Sequence, residues 1–264
     1  ATNQNLTLYS EGTMAISGAI TTGSGTLTKT GAGTVTVSGN NTYTGTTTIT
    51  TGTLQLGAAD RISNSSNMVL NGGTFSTGSS TGYSETVGTL NLNNNSIIAL
   101  GSGDHTLAFA NSSAVVWAGS TLTITGWTGT AGSSGTAGKI MVGVGGLSEA
   151  QLAKISFTGY TETPIILGTG ELVPASPDPT ITVSETTRSG FSYCQSTGPS
   201  SSLSYVVSGN NLTADITITA PTNYEVSADN ANFHSSRTLT HSSGTVSNTT
   251  IYVRLKSGLS ANTY

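Results

Sequence analysis

The chain has 264 residues, of which only 8% are charged, with 8 Lys and Arg against 12 Asp and Glu and a formal net charge of −4. Cations so few and scattered form no basic patch, which argues against nucleic acid as a partner, and no apolar run is long enough to cross a membrane as a helix. A single cysteine excludes an internal disulfide framework.

The first strand expected is Asn5–Tyr9. Short pieces of one kind then recur: Gly12-Thr13-Met14, Gly25-Thr26-Leu27, Gly52-Thr53-Leu54, Gly73-Thr74-Phe75 and Gly88-Thr89-Leu90. Between Gly31 and Leu56 the alternation is plainest, as T-V-T-V, T-T-I-T and T-L-Q-L separated by Gly/Asn clusters. Thr alternating with an aliphatic residue marks a strand with one wet and one buried face, and the clusters mark turns. Val35, Val37, Ile49, Leu54 and Leu56 are the residues expected to point inward. A strand-and-turn unit repeating about every 20 residues is the pattern of a solenoid, in which each coil buries its apolar face on the next. The clearest further strands are Met68–Leu70, Thr89–Leu92, Ser96–Leu100, Thr106–Phe109, Ala114–Trp117 and Thr121–Ile124. Periodicity leaves open whether a coil carries two sheets or three.

From Lys139 the pattern changes. A strand over Lys139–Val144 precedes the one helix, at 146–155. Ser148 with Gln151 makes a capping box, and Leu147 is placed to staple onto Leu152. Bare edge strands invite aggregation, so residues 139–173, including strands at Ile165–Leu167 and Glu171–Val173, are read as a cap. Pro174–Pro179 reads as a stiff extended linker. Beyond it, alternating strands at Ile181, Ser204, Ala214, Tyr224, Arg237 and Thr250 predict an antiparallel Ig-like sandwich. The expectation is an all-β chain: a right-handed parallel β-solenoid over 1–173, its cap at 139–173, the linker at 174–179, and a sandwich over 180–264. The sandwich lacks a final strand, so the chain is expected to continue past Tyr264, or a neighbouring copy to supply that strand in a filament. No leader is visible, and Ala1 fits the residue after a removed one.

Residues 27–45, LTKTGAGTVTVSGNNTYTG, with Thr46–Ile49 and Gly52–Leu56 after them, resemble the autotransporter-associated β-strand repeat. Thr46 stands where the family pattern has a second glycine. The resemblance implies the β-helical passenger region of an exported bacterial protein, an extracellular or cell-surface setting, and adhesins as relatives. Residues 146–174 resemble the piece that often ends such regions. Residues 180–264, through Phe191–Cys194, Tyr205–Ile216, Pro221–Ser227 and Thr250–Leu255, resemble the tandem Ig-like repeats of bacterial surface proteins that use type IX secretion. These resemblances transfer no catalytic residue.

No catalytic, cofactor-binding or metal-binding residue is assigned. Asp104-His105 lacks a positioned nucleophile. His234 and His241 lack further ligands for zinc beyond Cys194, and Asp178, Asp215 and Asp229 are isolated, so calcium has no loop motif. A β-helical glycosidase or lyase needs paired carboxylates, whereas residues 1–138 hold only Glu11, Asp60, Glu85 and Asp104 as acids, none adjacent in sequence. Thr46–Thr48 and Thr50-Thr51 suggest a threonine face of the ice-binding kind, but the T-x-T spacing is not kept from coil to coil. Trp117, Trp127, Tyr43, Tyr83 and Tyr160 read as coil-stacking residues rather than sugar platforms. The function expected is a secreted or surface structural and adhesive protein that binds a surface glycan or another cell-surface ligand, with neighbouring copies as possible partners. The alternatives are a glycan- or ice-binding solenoid, then a β-helical polysaccharide-degrading enzyme.

Overall fold

A computed structural model describes residues 3–262. Ala1 and Tyr264, where the sequence places a leader junction and a continuing chain, lie outside them. The described residues divide into two compact units, one up to Ser176 and one from Pro177.

The first unit is a coil of strand pairs: β1 (Leu6–Tyr9) and β2 (Thr13–Ile16), β3 (Leu27–Thr30) and β4 (Thr34–Val37), β5 (Thr47–Ile49) and β6 (Thr53–Leu56). The pairs continue as β7 (Met68–Asn71) and β8 (Thr74–Ser76), β9 (Glu85–Asn94) and β10 (Ser96–Ala99), β11 (His105–Ala110) and β12 (Leu122–Thr125). The last coil holds β13 (Gly138–Met141), α1 (Glu149–Leu152) and β14 (Ile155–Phe157). Odd strands β1 to β13 stack in one sheet and even strands β2 to β14 in another, all parallel. The parallel solenoid therefore has two hydrogen-bonded sheets. Its third side is held by scattered bonds, such as Thr42 N to Ile20 O and Gly82 N to Ser102 O.

Alternation sets the faces. Val35, Val37, Ile49, Leu54 and Leu56 are buried, as their spacing with Thr and Gln requires, and they join one apolar core running from Leu8 to Val173. Each coil exposes one edge of backbone to the next, and parallel pairing satisfies it. On the third side and at strand ends, Asn side chains bridge successive coils. Asn41 Oδ1 accepts from Ile20 N and its Nδ2 donates to Arg61 O; Asn67 and Asn95 accept from Thr89 N and Thr121 N of the next coil. This is a physical use for the high Asn content.

The repeated Gly-Thr pieces fall into two sets. Gly12, Gly52 and Gly73 precede even strands, whereas Gly25 and Gly88 belong to the odd sheet. At the even-strand corner glycine is needed for space: a Cβ on Gly33 would lie 2.0 Å from the Gly12 carbonyl oxygen. At Gly52 it is needed for conformation as well, with φ at +63°.

Three local expectations differ from the structure. Ala114–Trp117 is a loop, with Val116 85% exposed, because the backbone swings out between β11 and β12 while the Trp117 indole returns to bond Leu90 O. The strand expected over Lys139–Val144 ends at Met141. The helix is one turn, 149–152, rather than 146–155, though its capping box is present as expected. It lies on the connection between β13 and β14, and Gln151 Nε2 donates to Ser112 O and Val115 O of the preceding coil. The odd sheet closes with β15 (Ile165–Ile166) and β16 (Glu171–Val173), of which β16 pairs antiparallel with β13.

The second unit is antiparallel. Its four-stranded sheet runs β17 (Thr180–Val183), β18 (Leu203–Asn210), β22 (Val246–Leu255), β20 (Tyr224–Ser227), and a separate pair joins β19 (Ile216–Thr219) to β21 (Ser236–Leu239). Both contribute to one small core: Val207, Val226, Ile251 and Val253 from the sheet, Ile216 and Leu239 from the pair. Pro174 is buried in the first unit, its carbonyl accepting from Gly132 N.

Candidate functional site

Chemistry in the solenoid sits at two places: ionisable groups inside, and an uncharged array outside. Inside, Lys29 alternates in phase with Leu27 and is therefore turned into the core, fully buried. Its Nζ donates to Thr30 O at 2.9 Å, Gly31 O at 2.7 Å and Thr51 O at 3.2 Å; Thr30 O also accepts from Ser10 N. Burial holds this amine below its ordinary pKa, and the nearby Glu11 charge opposes the shift. The Tyr43, Thr47 and Ser66 hydroxyls form a second buried chain, at 2.7 and 2.8 Å, and burial pushes the Tyr43 phenol up to about 12.

Glu85 opens β9 facing inward. Its Oε2 accepts from Arg61 N at 2.7 Å and Ile62 N at 3.1 Å, while its Oε1 is buried without a partner. Burial raises this carboxyl to about 7; the amide donors oppose the shift, and the Asp60 charge adds to it. Coiling has thus brought together two acids that are 25 positions apart in sequence. A raised carboxyl beside a second acid is the arrangement that acid–base catalysis uses. Here the raised one is 1% exposed, so no substrate can reach it, and its role is to hold the connection 57–67 to β9.

His105 is also buried. Its Nδ1 lies 2.8 Å from Gly103 O, which can only accept, so the proton sits on Nδ1; its Nε2 lies 2.9 Å from Thr77 Oγ1. The neighbouring Asp104 is exposed, and Gly82 and Gly138 crowd the imidazole. The pair is a packed corner, with no open nucleophile. Glu171 accepts from Ser134 Oγ and Gly135 N. Trp127 meets Phe157 and Tyr160 edge to face at 5.8 and 5.4 Å. Trp117, Trp127 and Tyr43 are buried, and Tyr83 and Tyr160 pack half-buried on the core.

In the second unit, His234 is exposed and His241 Nδ1 accepts from Gly244 N. Asp215 accepts from His241 N, and Asp229 holds its own loop through Ala231 N and Asn232 N. Cys194 is exposed and free. Among the described residues no three His, Cys, Asp or Glu groups converge to hold a metal.

Outside, the threonine run singled out in the sequence divides. Thr47 is buried in the hydroxyl chain, and Thr50 Oγ1 donates to Lys29 O. The ordered array lies on the other sheet. Thr13, Thr34, Thr53 and Thr74 stand opposite one another in β2, β4, β6 and β8. The column continues through Ile97, Thr123 and Ser156. Sequence spacing hides it because connections of unequal length, 17–26, 38–46, 57–67 and 77–84, separate strands that pair in one register.

These features define a parallel β-solenoid with a filled interior. The family model of the passenger-associated transport repeat matches residues 27–56, the two coils from β3 to β6. No curated protein and no solved structure matches the chain. The match and the solenoid together support a β-helix of the autotransporter-passenger type, which suggests a surface or secreted structural protein. No helix among the described residues is long and apolar enough to cross a membrane.

Proposed function

We propose that this chain is a non-catalytic, adhesive part of a bacterial surface or secreted protein. The solenoid serves as a rigid stalk or tip, and the antiparallel unit after it is an Ig-like spacer. One observation carries the reading: among the described residues, every Lys, Glu and His side chain buried in the solenoid bonds backbone of its own or a neighbouring coil. The interior chemistry is spent on stacking coils. Such coils give length with few long-range constraints. The ligand in this reading is a surface glycan or another cell-surface molecule, and the Ig-like character of the second unit favours type IX export. Beads coated with the chain should adhere to glycan-coated surfaces, and surface proteolysis of intact producing cells should remove the protein. Release of reducing ends from polysaccharide by the purified chain, or protection of the protein from surface proteolysis, would overturn the reading.

A second reading rests on the edge strand β17. All four of its residues are exposed, with Ile181 at 58%, and neither Lys nor Pro protects it. A neighbouring copy pairing along this edge would build a filament. Sedimentation should then show association that Ile181→Lys abolishes; a parent chain monomeric at high concentration refutes it.

A further inference from the structure

The outward face of the even sheet differs from every other surface of the solenoid. None of its strands, β2 through β14, contains an ionisable residue. The register is constant from strand to strand, with no bulge. Its first outward column is Thr13, Thr34, Thr53, Thr74, Ile97, Thr123, Ser156. The second is Ala15, Thr36, Gln55, Ser76, Ala99, Thr125. Parallel strands repeat about every 4.8 Å, and outward residues on one strand about every 6.6 Å. The face is thus a regular, uncharged array whose first column is mostly threonine methyls and hydroxyls.

In the second column Ser76 is buried and bonds Gly78 O, and Thr36 accepts from Gln55; the threonine hydroxyls of the first column are not used by the fold. Among the described residues, the Oγ1 atoms of Thr13, Thr34, Thr53, Thr74 and Thr123 make no bond to a protein group. The inward Thr47 and Thr77 and the strand-end Thr50 differ, their hydroxyls bonded inside the solenoid. A β-branched threonine in a strand holds few side-chain rotamers, so neighbouring hydroxyls keep a common direction. Water bonded to them is anchored at the strand repeat, and the methyls between leave it no other protein partner. A surface that orders water in a regular array, with no charge to pull it out of that array, is suited to join a growing ice plane.

We propose that this even-sheet face binds ice. Two other occupants fit less well. A crystalline polysaccharide is gripped by exposed aromatic rings, and neither outward column contains one. A second copy seated on the face would gain little apolar burial, since Ile97 is the one large apolar side chain in the two columns.

The whole chain, fluorescently labelled on the exposed Cys194, would be tested for adsorption to a single ice crystal and for inhibition of recrystallisation. The parent should adsorb and keep ice grains small. Thr53→Tyr, placed mid-lattice, should abolish both, while Thr48→Tyr on the outward side of the odd sheet should abolish neither. Equal thermal midpoints of the three proteins would show that folding is not the cause. Absence of adsorption by the parent overturns the proposal, as does equal loss in both variants. Retention of crystalline cellulose or chitin by the parent, lost in Thr53→Tyr and without ice adsorption, would assign the face to polysaccharide. Parent dimers dissociated by Thr53→Tyr, again without ice adsorption, would assign it to a second copy. None of these outcomes bears on whether the protein is surface-exposed or adhesive.

Discussion

The two sheets of the solenoid come from the same coils, yet they divide the work differently. The even strands hold no ionisable residue and pair without a register shift. The odd sheet shifts register on both sides of β9, at Leu70/Asn71 and Phe109/Ala110. It also carries the buried Lys, Glu and His side chains among the described residues: Lys29, Glu85, His105 and Glu171. The connections 17–26, 38–46, 57–67 and 77–84 lead into odd strands, whereas 111–121 and 142–154 lead into even ones. Buried charge is tolerated where it satisfies backbone groups. Polar anchors in the odd sheet thus absorb irregularity that would otherwise break the lattice on the even one.

Breaking the even interior should cost most. Val37→Asp puts a carboxylate among aliphatic side chains with no donor, and more than about 4 kcal/mol of stability should be lost. Thr36→Asp, one residue away and facing out, should cost less than about 1 kcal/mol. Urea unfolding of the two variants tests the alternation directly; equal midpoints would refute the assigned faces.

Next comes the odd-sheet anchor. Lys29→Ala leaves the Gly31 and Thr51 carbonyls without a donor and a void beneath the corner, a loss of about 3 kcal/mol. Lys29→Met refills the void but not the bonds, and should recover part of that loss. Full recovery by Met in thermal unfolding would show that Lys29 acts by volume alone.

Glu85 gives the odd sheet a pH dependence that the even sheet lacks. Its folded carboxyl sits at about 7 against a reference of 4.5. Below 4.5 both folded and unfolded states hold the proton; between the two values only the folded state does. The stabilisation is therefore complete below 4.5 and is lost as pH rises through 7, by about 3 kcal/mol in all. Unfolding midpoints should fall between pH 4.5 and 7.5, and Glu85→Gln should flatten that profile. A parent profile flat over this range would remove the carboxyl from the balance.

The smallest effect is expected at the helical turn. Gln151→Ala removes half of the capping box and two side-chain bonds to the preceding coil, at about 1 to 2 kcal/mol. Hydrogen exchange should quicken around 111–121 and 148–154 while β3 to β6 stay protected. Uniform quickening through the solenoid would mean that this turn clamps the whole coil.

Alternation and turn chemistry alone determined that Val35, Val37, Ile49, Leu54 and Leu56 face inward, because side-chain direction in a strand has period two. They also located the capping box at Ser148 and Gln151, a contact between residues three apart. The same local reading placed a strand at Ala114–Trp117, where an apolar run forms a loop because only the indole returns to the core. It left Lys29 unremarked, because nothing nearby in sequence supplies the carbonyl of Thr51. It kept Asp60 and Glu85 apart, and it missed the threonine column. These are relations between coils. Their register is set by backbone pairing across connections of unequal length, so only the tertiary structure decided which residues stand one strand apart.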